Sequence, residues 1–201
     1  MAAQPNKAEM KGFWRELHAR HPGFRIAVTE DVRVTSMHRG EHFEPKSTLY
    51  TAYRALRLAW VSDAFFAHMC YRLRMRLLAR GVPILPRILH KISMMTSQLS
   101  IGDPVYMHPG VYIAHGQIVL DGLVEIKSGT VIAPWVSIGL VAGNHQGPTI
   151  GHGCFIGTGS SLLGPFDVGD EAIIGSGAVV TKDVPPGAMV VGIPAKQVGN
   201  K

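Results

Sequence analysis

Apolar residues recur every six positions between residues 101 and 180, and this period dominates the pattern of the chain. The residues that follow it are Ile101, Met107, Ile113, Leu120, Ile126, Ile132, Ile138, Ile150, Ile156, Leu162, Val168, Ile174 and Val180. An α-helix repeats every 3.6 residues and a simple strand every two, whereas a fixed short repeat is typical of a solenoid. The pattern therefore predicts a chain wound into stacked coils.

Each repeat has a second regular position, two residues before the first. Val105 precedes Met107 and Val111 precedes Ile113, so both members of each pair face the same side of a strand. Glycine often follows the first position, where it suits a corner between strands. Each repeat is then one short strand plus a turn, and three repeats make a triangular coil. About four coils stacked ~4.8 Å apart give a prism roughly 20 Å tall.

The period is interrupted twice, and a histidine lies at each interruption. The step is seven residues instead of six beside His115, and twelve residues across the segment 139–149, which contains His145. We expect the second segment to form a loop that projects from the prism. Loops on a rigid scaffold are common places for binding and catalytic residues.

The N-terminal part of the chain carries helical patterns instead. Residues 8–20 have helical character, whereas residues 24–34 alternate and predict a short strand or an extended arm. Ser47 is a plausible cap for one helix whose apolar stripe runs through residues 49–77, and residues 88–95 predict a further helical piece. The stripe is rich in arginine. We expect it to cap the open end of the prism, and contact with a membrane surface stays an alternative.

Charge and glycine content both change near residue 98. Residues 1–98 hold 16 Lys or Arg and 7 Asp or Glu, a net charge of +9, whereas residues 99–201 hold 4 and 7, a net charge of −3. Nineteen of the 23 glycines lie after residue 98. These shifts predict a mainly helical N-terminal region, 1–98, and a repeat domain, 99–201. No nucleic-acid-binding motif accompanies the basic half, so we expect no nucleic-acid partner.

The two cysteines, Cys70 and Cys154, form neither a disulfide framework nor a zinc-binding spacing. Cys154 holds an inward position of the repeat, and both are expected to be small core residues. The sequence before Lys7 contains no apolar signal segment, which predicts a cytoplasmic protein.

Several motifs resemble those of the hexapeptide-repeat acyltransferases, and most of all the serine acetyltransferases. They are the bulged turn Ile113-Ala-His-Gly-Gln-Ile-Val, the ending Val179-Val-Thr-Lys-Asp-Val-Pro-Pro with Gly192-Ile-Pro-Ala-Lys, and the run Ala64-Phe-Phe-Ala-His to Gly81-Val-Pro. The resemblance covers roughly residues 62–198. It implies a left-handed parallel β-helix, a homotrimer and acetyl-CoA as the acetyl donor.

The resemblance also implies which residues act. Acetyl transfer to a hydroxyl needs a base for its proton, and a histidine with an unperturbed pKa of ~6.5 can serve near neutral pH. His115 matches the histidine of the family's turn, and His145 lies near a loop position whose histidine contacts substrate or acts as the base in relatives. The residues that correspond to coenzyme A contacts are Thr158, Ser176, Thr181, Lys182 and Lys196. No metal is expected.

The sequence departs from the serine acetyltransferase pattern in two places. Ala114 precedes His115 where the housekeeping enzymes carry Asp, so Asp103, Asp121 or a backbone carbonyl would have to orient the imidazole. The end of the chain, residues 199–201, lacks the apolar-ended tail that docks cysteine synthase, so we expect no such docking.

The prediction is therefore an acetyl-CoA-dependent O-acetyltransferase that acts by direct transfer on a small hydroxyl compound, with serine as the first choice. A serine carboxylate would need His145 or an arginine from the N-terminal half as its partner. The alternatives are transfer to a sugar, a glycan or a specialised metabolite, a trimeric scaffold without activity, and a hexapeptide carbonic anhydrase with three zinc-binding histidines.

Overall fold

The structure, a computed structural model, describes residues 7–200, with the side chains of residues 12–199. The helices come first and are α1 (Lys7–Ala19), α2 (Phe24–His38), α3 (Thr48–Val61), α4 (Asp63–Ala79) and α5 (Leu85–Ser97). The strands follow and are β1 (Leu99–Ile101), β2 (Tyr106–Met107), β3 (Tyr112–Ile113), β4 (Ile118–Leu120), β5 (Leu123–Ile126), β6 (Val131–Ile132), β7 (Ser137–Gly139), β8 (Gln146–Ile150), β9 (Phe155–Ile156), β10 (Ser161–Leu163), β11 (Asp167–Val168), β12 (Ile173–Ile174), β13 (Val179–Val180), β14 (Ala188–Val191) and β15 (Lys196–Asn200). The change from helix to strand lies at residue 98, and a division into separate domains stays a prediction.

The strands form a left-handed parallel β-helix, which confirms the predicted fold class. Its first face contains β1, β4, β7, β10 and β13, its second face β2, β5, β8 and β11, and its third face β3, β6, β9, β12, β14 and β15. The first face has five levels, one more than the repeats predict. The last coil departs from the period because Val184 forms only an isolated bridge to Val168 before β14 begins.

The period-of-six residues fill the interior of the prism. Leu120, Ile126, Ile138 and Ile150 are 0–1% exposed, and burying one such side chain stabilises the fold by ~1.5–3 kcal/mol. The twelve-residue step leaves the stacking undisturbed, because Leu120 still pairs with Ile138 and Ile126 with Ile150. The six extra residues therefore leave the prism at a single corner.

The prediction of a strand or extended arm for residues 24–34 is wrong, because these residues form most of α2. The buried positions Ala27, Asp31 and Val34 are four and three residues apart, which is helical spacing. The alternation of valines and isoleucine suggested a strand. The tertiary contacts of Asp31, described below, favour the helix. Local secondary-structure propensities do not reveal these contacts.

The long stripe at residues 49–77 belongs to two helices, not one. Ser47 caps α3 by accepting a hydrogen bond from the backbone N–H of Tyr50, as predicted, and Ser62 interrupts the stripe and caps α4. The predicted stripe residues of α3 point outward, since Leu49 and Trp60 are 84% and 90% exposed. Leu58 lies on the buried face instead.

Helix α4 covers the open end of the prism, as expected for the arginine-rich stripe. The hydroxyl of Tyr71 donates to the carbonyl of Val105 and accepts from the N–H of Met107. Arg72 donates to the carbonyls of Met107 and His108, and Arg74 donates to the carbonyl of Ile101. Within residues 7–200 no further coil precedes the first one, so its outward backbone groups have no strand to pair with. The side chains of α4 provide hydrogen-bond partners for them instead.

A buried ion pair joins α2 to this cap. Asp31 is fully buried and accepts two hydrogen bonds from Arg72, at 2.8 and 3.2 Å, and one from the backbone N–H of Gly110 at 2.8 Å. His68 lies 3.5 Å from the same carboxylate. Helices α2 and α4 and the first coil therefore meet at one carboxylate.

Among the helices of residues 7–200, none is both long and apolar enough to cross a membrane. The cytoplasmic location stays a prediction, and residues 1–6, on which it partly depends, lie outside the described residues.

Candidate active site

His115 lies in a corner that is held from outside by helix α5. The corner, residues 114–117, joins β3 to β4, and the N–H of Gln117 donates to the carbonyl of Ser97 at 3.0 Å. Gly116 passes so close to the end of α5 that a Cβ atom there would lie 1.7 Å from the Ser97 oxygen. The position after His115 therefore has room only for glycine. The imidazole of His115 remains exposed.

A cleft of about 360 Å³ opens around His115 between the prism and the helical cap. Its walls come from the end of α2, the junction of α3 and α4, the end of α5 and the His115 corner. The lining residues are Thr35, Arg39, Val61, Ser62, Asp63, Ala64, Met95, Thr96, Ser97, Gln98, Tyr112, Ala114, His115, Gly116 and Gln117. This volume lies in the range of small-molecule sites.

The acidic and basic side chains that line this cleft are Arg39, Asp63 and His115. The ring of His38 stacks on Tyr112 at 4.0 Å between centroids and thereby fixes the end of α2 beside the corner. Asp63 is the first residue of α4 and is exposed at the cleft. The sequence reasoning anticipated an arginine from the N-terminal half, but it named neither Arg39 nor Asp63.

The two carboxylates suggested by the sequence as partners of His115 lie at another edge of the prism. Asp103 follows β1 and pairs with Arg74 at 3.3 Å, and Asp121 accepts a hydrogen bond from the N–H of Gly122. Both belong to corners between the first and second faces, whereas His115 lies between the third and first. Within this cleft the carboxylate is that of Asp63.

Two of the five predicted coenzyme A contacts share a column with His115. The strand register places Thr158 and Ser176 at the same position of their corners as His115 and Gly116, and both are exposed. Lys196 begins β15, directly after the turn 192–195 that joins the antiparallel strands β14 and β15 beside Val179 at the same edge. We call this the His115 edge; its corners are residues 114–117, 133–136, 157–160 and 175–178, and the turn 192–195 lies at its far end.

Trp135 also lies on the His115 edge, and the sequence reasoning missed it. It is 62% exposed and has φ +65°, in the left-handed region. The signal for Trp135 in the sequence is an aromatic residue at a corner of the repeat. It lies one level beyond the level of His115 in the direction of Thr158.

His145, Thr181 and Lys182 lie on a different edge, where the chain passes from the first to the second face. We call it the His145 edge; its corners are residues 102–105, 121–122, 140–145, 164–166 and 181–183. Within one chain the predicted site residues therefore form two separate groups, each of which follows one edge.

The loop predicted at residues 139–149 is shorter than expected. Only residues 140–145 leave the prism, with a bridge between Val141 and Asn144, because Gln146 already belongs to β8. The His145 carbonyl accepts the N–H of Leu123, while its ring remains exposed.

The two cysteines are core residues, as the sequence predicts. Cys70 and Cys154 are buried, and burial raises the pKa of both thiols, which disfavours the thiolate. His108 is half-buried and lies 2.9 Å from Glu125. In the described part of the chain there is no group of three His, Cys, Asp or Glu side chains that could hold a metal.

Known proteins resemble this chain in sequence and in fold. The family described as bacterial transferase hexapeptide (six repeats) matches residues 147–182. A serine acetyltransferase of Mycobacterium tuberculosis is 33% identical over 142 residues, which cover 66% of this chain and 56% of that protein. A serine acetyltransferase of Helicobacter pylori J99 is 32% identical over 136 residues, which cover 66% of this chain and 79% of that protein.

A solved structure shares the fold over most of the chain. Serine acetyltransferase from Brucella abortus in complex with coenzyme A superposes with a TM-score of 0.74 at 21% identity, covering 92% of this chain and 71% of that chain. At this identity the likeness concerns the fold. The chain thus spans just over half the length of the M. tuberculosis relative and about four fifths of the shorter H. pylori relative.

Proposed function

Because the chain belongs to the serine acetyltransferase family, we propose that it is an acetyl-CoA-dependent O-acetyltransferase whose acceptor is the hydroxyl of serine or a close analogue. The observation that carries the proposal is the position of His115. Its imidazole faces a small polar cleft on one side and begins the column of Thr158 and Ser176 on the other. An acceptor and an acyl donor would then meet at this residue.

The chemistry follows from the imidazole. The acceptor hydroxyl gives its proton to His115 while its oxygen attacks the thioester carbonyl, and a tetrahedral oxyanion forms. When the oxyanion collapses, the carbon–sulfur bond breaks and the imidazolium returns the proton to the departing thiolate. The products are the acetyl ester and coenzyme A. Direct transfer needs no enzyme nucleophile, which fits the burial of both cysteines.

The His115 edge offers a path for the donor. Thr158 and Ser176 present hydroxyls and turn backbone to an extended pantetheine arm, and the ammonium of Lys196 would meet phosphate charge. Lys196 begins β15, about five strand spacings from β3 at the level of His115, roughly 24 Å. The donor would therefore lie along the prism, with its thioester near His115 and its phosphates at the far end.

We further propose a homotrimer with its sites between subunits. His145, Thr181 and Lys182 lie on one edge and His115, Thr158 and Ser176 on another, so a single chain leaves the two groups apart. If the His145 edge of one subunit lies against the His115 edge of the next, both groups meet in one groove. Three such contacts close a ring, as heterologous interfaces do when their rotation closes.

An acceptor panel tests the activity. Release of coenzyme A from acetyl-CoA is measured with L-serine, homoserine, sugars and other alcohols, and L-serine is expected to give the highest kcat/KM. Turnover with a sugar and none with serine would contradict the serine assignment and leave a general O-acetyltransferase.

A thermal-shift titration with acetyl-CoA separates an enzyme from a trimeric scaffold without activity. A ligand that binds only the native state raises Tm as its concentration rises above Kd. A rising Tm is expected, whereas a constant Tm at saturating acetyl-CoA, together with no turnover, would favour the scaffold. Metal analysis of the purified protein tests the carbonic anhydrase alternative.

A further inference from the structure

We infer that Arg39 and Asp63, which come from the helical cap, select the acceptor: Arg39 binds its carboxylate and Asp63 binds its ammonium group. The acceptor would then be a hydroxy amino acid with both groups free, and the inference rests on the proposed function. Both residues lie in the helical N-terminal part of the chain, from which the sequence predicts an arginine for the carboxylate but no partner for the ammonium group.

The terminal nitrogens of Arg39 are available as hydrogen-bond donors. Its Nε donates to Glu41 at 3.3 Å, but its two terminal nitrogens have no hydrogen-bond partner among residues 12–199. Terminal guanidinium nitrogens can bind a carboxylate with two hydrogen bonds. Arg39 therefore retains donors that can face a ligand in the cleft.

The charge of Arg39 is also only partly compensated. Glu41 receives hydrogen bonds from Arg54 and Arg57 as well, so one carboxylate is shared by three guanidinium groups. The Arg39 contact is the longest of the three. An additional carboxylate beside Arg39 would be attracted by the excess positive charge.

Arg39 is placed by contacts that leave its side chain free to act. Its backbone N–H donates to the carbonyls of Thr35 and Ser36 at the end of α2. The neighbouring His38 stacks on Tyr112, which lies three residues before His115. These contacts hold the backbone of Arg39 at the His115 cleft, which Arg39 lines. Among the residues that line this cleft, Arg39 is the one with a permanent positive charge.

Asp63 provides the opposite charge in the same cleft. Within the described residues it makes no ion pair or hydrogen bond through its carboxylate. A structural explanation is that the carboxylate of Asp63 stabilises the N-terminus of α4 by interacting with the helix dipole, a contribution of ~0.3–1 kcal/mol. That role does not need a position in the cleft that Arg39 and His115 also line, whereas ammonium recognition does.

The three groups together match the polar groups of a hydroxy amino acid. Arg39 would take the carboxylate, Asp63 the ammonium and His115 the hydroxyl, so every charge in the cleft would have a partner. A neutral sugar would give no charged partner to the terminal nitrogens of Arg39 or to the carboxylate of Asp63, and would therefore bind less tightly. A cleft of about 360 Å³ also suits a small acceptor.

The test compares three acceptors: L-serine, L-serinamide, which lacks the carboxylate, and 3-hydroxypropionate, which lacks the ammonium. The wild-type enzyme is expected to prefer serine over both in kcat/KM. In Arg39→Met the KM for serine should rise roughly 10–100-fold, the loss expected for hydrogen bonds to a charged group. Serinamide and acetyl-CoA should be unaffected, so the preference of serine over serinamide disappears.

Asp63→Asn should remove the preference for serine over 3-hydroxypropionate. It should leave the preference for serine over serinamide unchanged. Arg33→Met is the matched control, because Arg33 lies on α2, is exposed, and pairs with Glu30 outside the cleft. It should change neither preference.

The wild-type preferences alone can refute the inference if the variants fail to fold: equal kcat/KM for serine and serinamide would overturn it. Unchanged preferences in folded Arg39→Met would overturn it as well. Absence of turnover with all acceptors in the wild-type enzyme would instead contradict the proposed function.

Discussion

One backbone position is repeated at four corners of the His115 edge, and two of its occupants are unusual. Gly159 and Gly177 hold it with φ +72° and +69°, as glycine does without strain, but Gln117 and Trp135 hold it with φ +58° and +65°. A bulky residue in this region costs stability. Strain that persists at a corner of the candidate site suggests a functional reason for the side chain.

Trp135→Gly separates stability from function. Glycine adopts the left-handed conformation freely, so the free energy of unfolding should be maintained or rise by up to about 1 kcal/mol. If the indole contacts the acyl donor, the Kd of acetyl-CoA should rise about threefold to tenfold, from a contact worth ~0.5–1.5 kcal/mol. Calorimetric titration measures Kd. An unchanged Kd would mean that the indole does not contact the donor.

Gly116→Ala tests whether α5 holds the corner that presents His115. Its Cβ would meet the Ser97 oxygen, so either the corner or α5 must move, and kcat should fall by at least tenfold; a 1 Å misplacement at a reacting centre can cost ~10²-fold. Gly199→Ala is the control, because the space around Gly199 is open and its φ is not positive. Normal kcat in Gly116→Ala would show that the contact does not position His115.

At this scale the sequence indicates the residues of the repeat but not their partners. The seven-residue step marks His115, because one extra residue in a strict period is visible without a structure. Arg39 and Asp63 come from segments without such a period, and they reach the cleft through the stacking of His38 on Tyr112 and the capping of α4 by Ser62. Long-range contacts of this kind leave no spacing in the sequence.

Among the elements, α4 carries three buried basic side chains, those of His68, Arg72 and Arg74. His68, 1% exposed, lies beside Asp31 and Arg72. Burial is the main cause that lowers the pKa of His68 to about 4; Arg72 lowers it further, and Asp31 partly opposes the change. Burial likewise lowers the pKa of His21 to about 3, with Arg72 acting in the same direction. Both histidines are therefore neutral in the folded cap near neutral pH.

The cap should lose stability in mild acid. In the unfolded chain His68 takes a proton as pH falls below ~6.5, whereas the folded protein resists protonation until about pH 4. The contribution of neutral His68 to the free energy of unfolding is therefore complete above pH ~6.5. It declines as pH falls toward 4, by at most about 3 kcal/mol. Urea unfolding at pH 7.5, 6 and 5 measures the decline.

His68→Asn is the comparison for this prediction. It removes the titrating group, so its stability should depend less on pH over the same range, although His21 still contributes. If both proteins show the same dependence, the burial of His68 does not control acid stability.

The elements differ in how far the sequence predicts them. The strands are predicted because each side chain at a period-of-six position faces the interior of its own coil, a local constraint repeated along the chain. Helix α2 is missed because its buried face is defined by Asp31, a charged residue whose partners are Arg72 and Gly110. In α3 the apolar residues of the predicted stripe face outward, whereas Leu58 and Arg54 face inward, and Arg54 donates to Ser36 and Glu41.

For the whole molecule, the division of the site residues between two edges makes a prediction about mixed trimers. His115→Ala chains lack the base, and chains without residues 140–145 lack His145. Each is expected to be inactive as a homotrimer. In trimers that contain both kinds of chain, one interface can combine an intact His115 edge with an intact His145 edge, so part of the activity should return.

The mixed trimers must be verified by native mass spectrometry before the assay. Mixtures of preformed homotrimers kept apart serve as the control and should remain inactive. No recovery in verified mixed trimers would count against a site shared between subunits.

The direct test of the whole account is the product formed from L-serine and acetyl-CoA, followed by mass spectrometry together with coenzyme A release. We predict one O-acetyl-L-serine for each coenzyme A, and in His115→Ala a fall in kcat of at least about 100-fold with little change in the Kd of acetyl-CoA, the range typical of a lost general base. The account would be contradicted if folded, acetyl-CoA-binding protein forms no acetylserine, or if His115→Ala retains near-normal turnover.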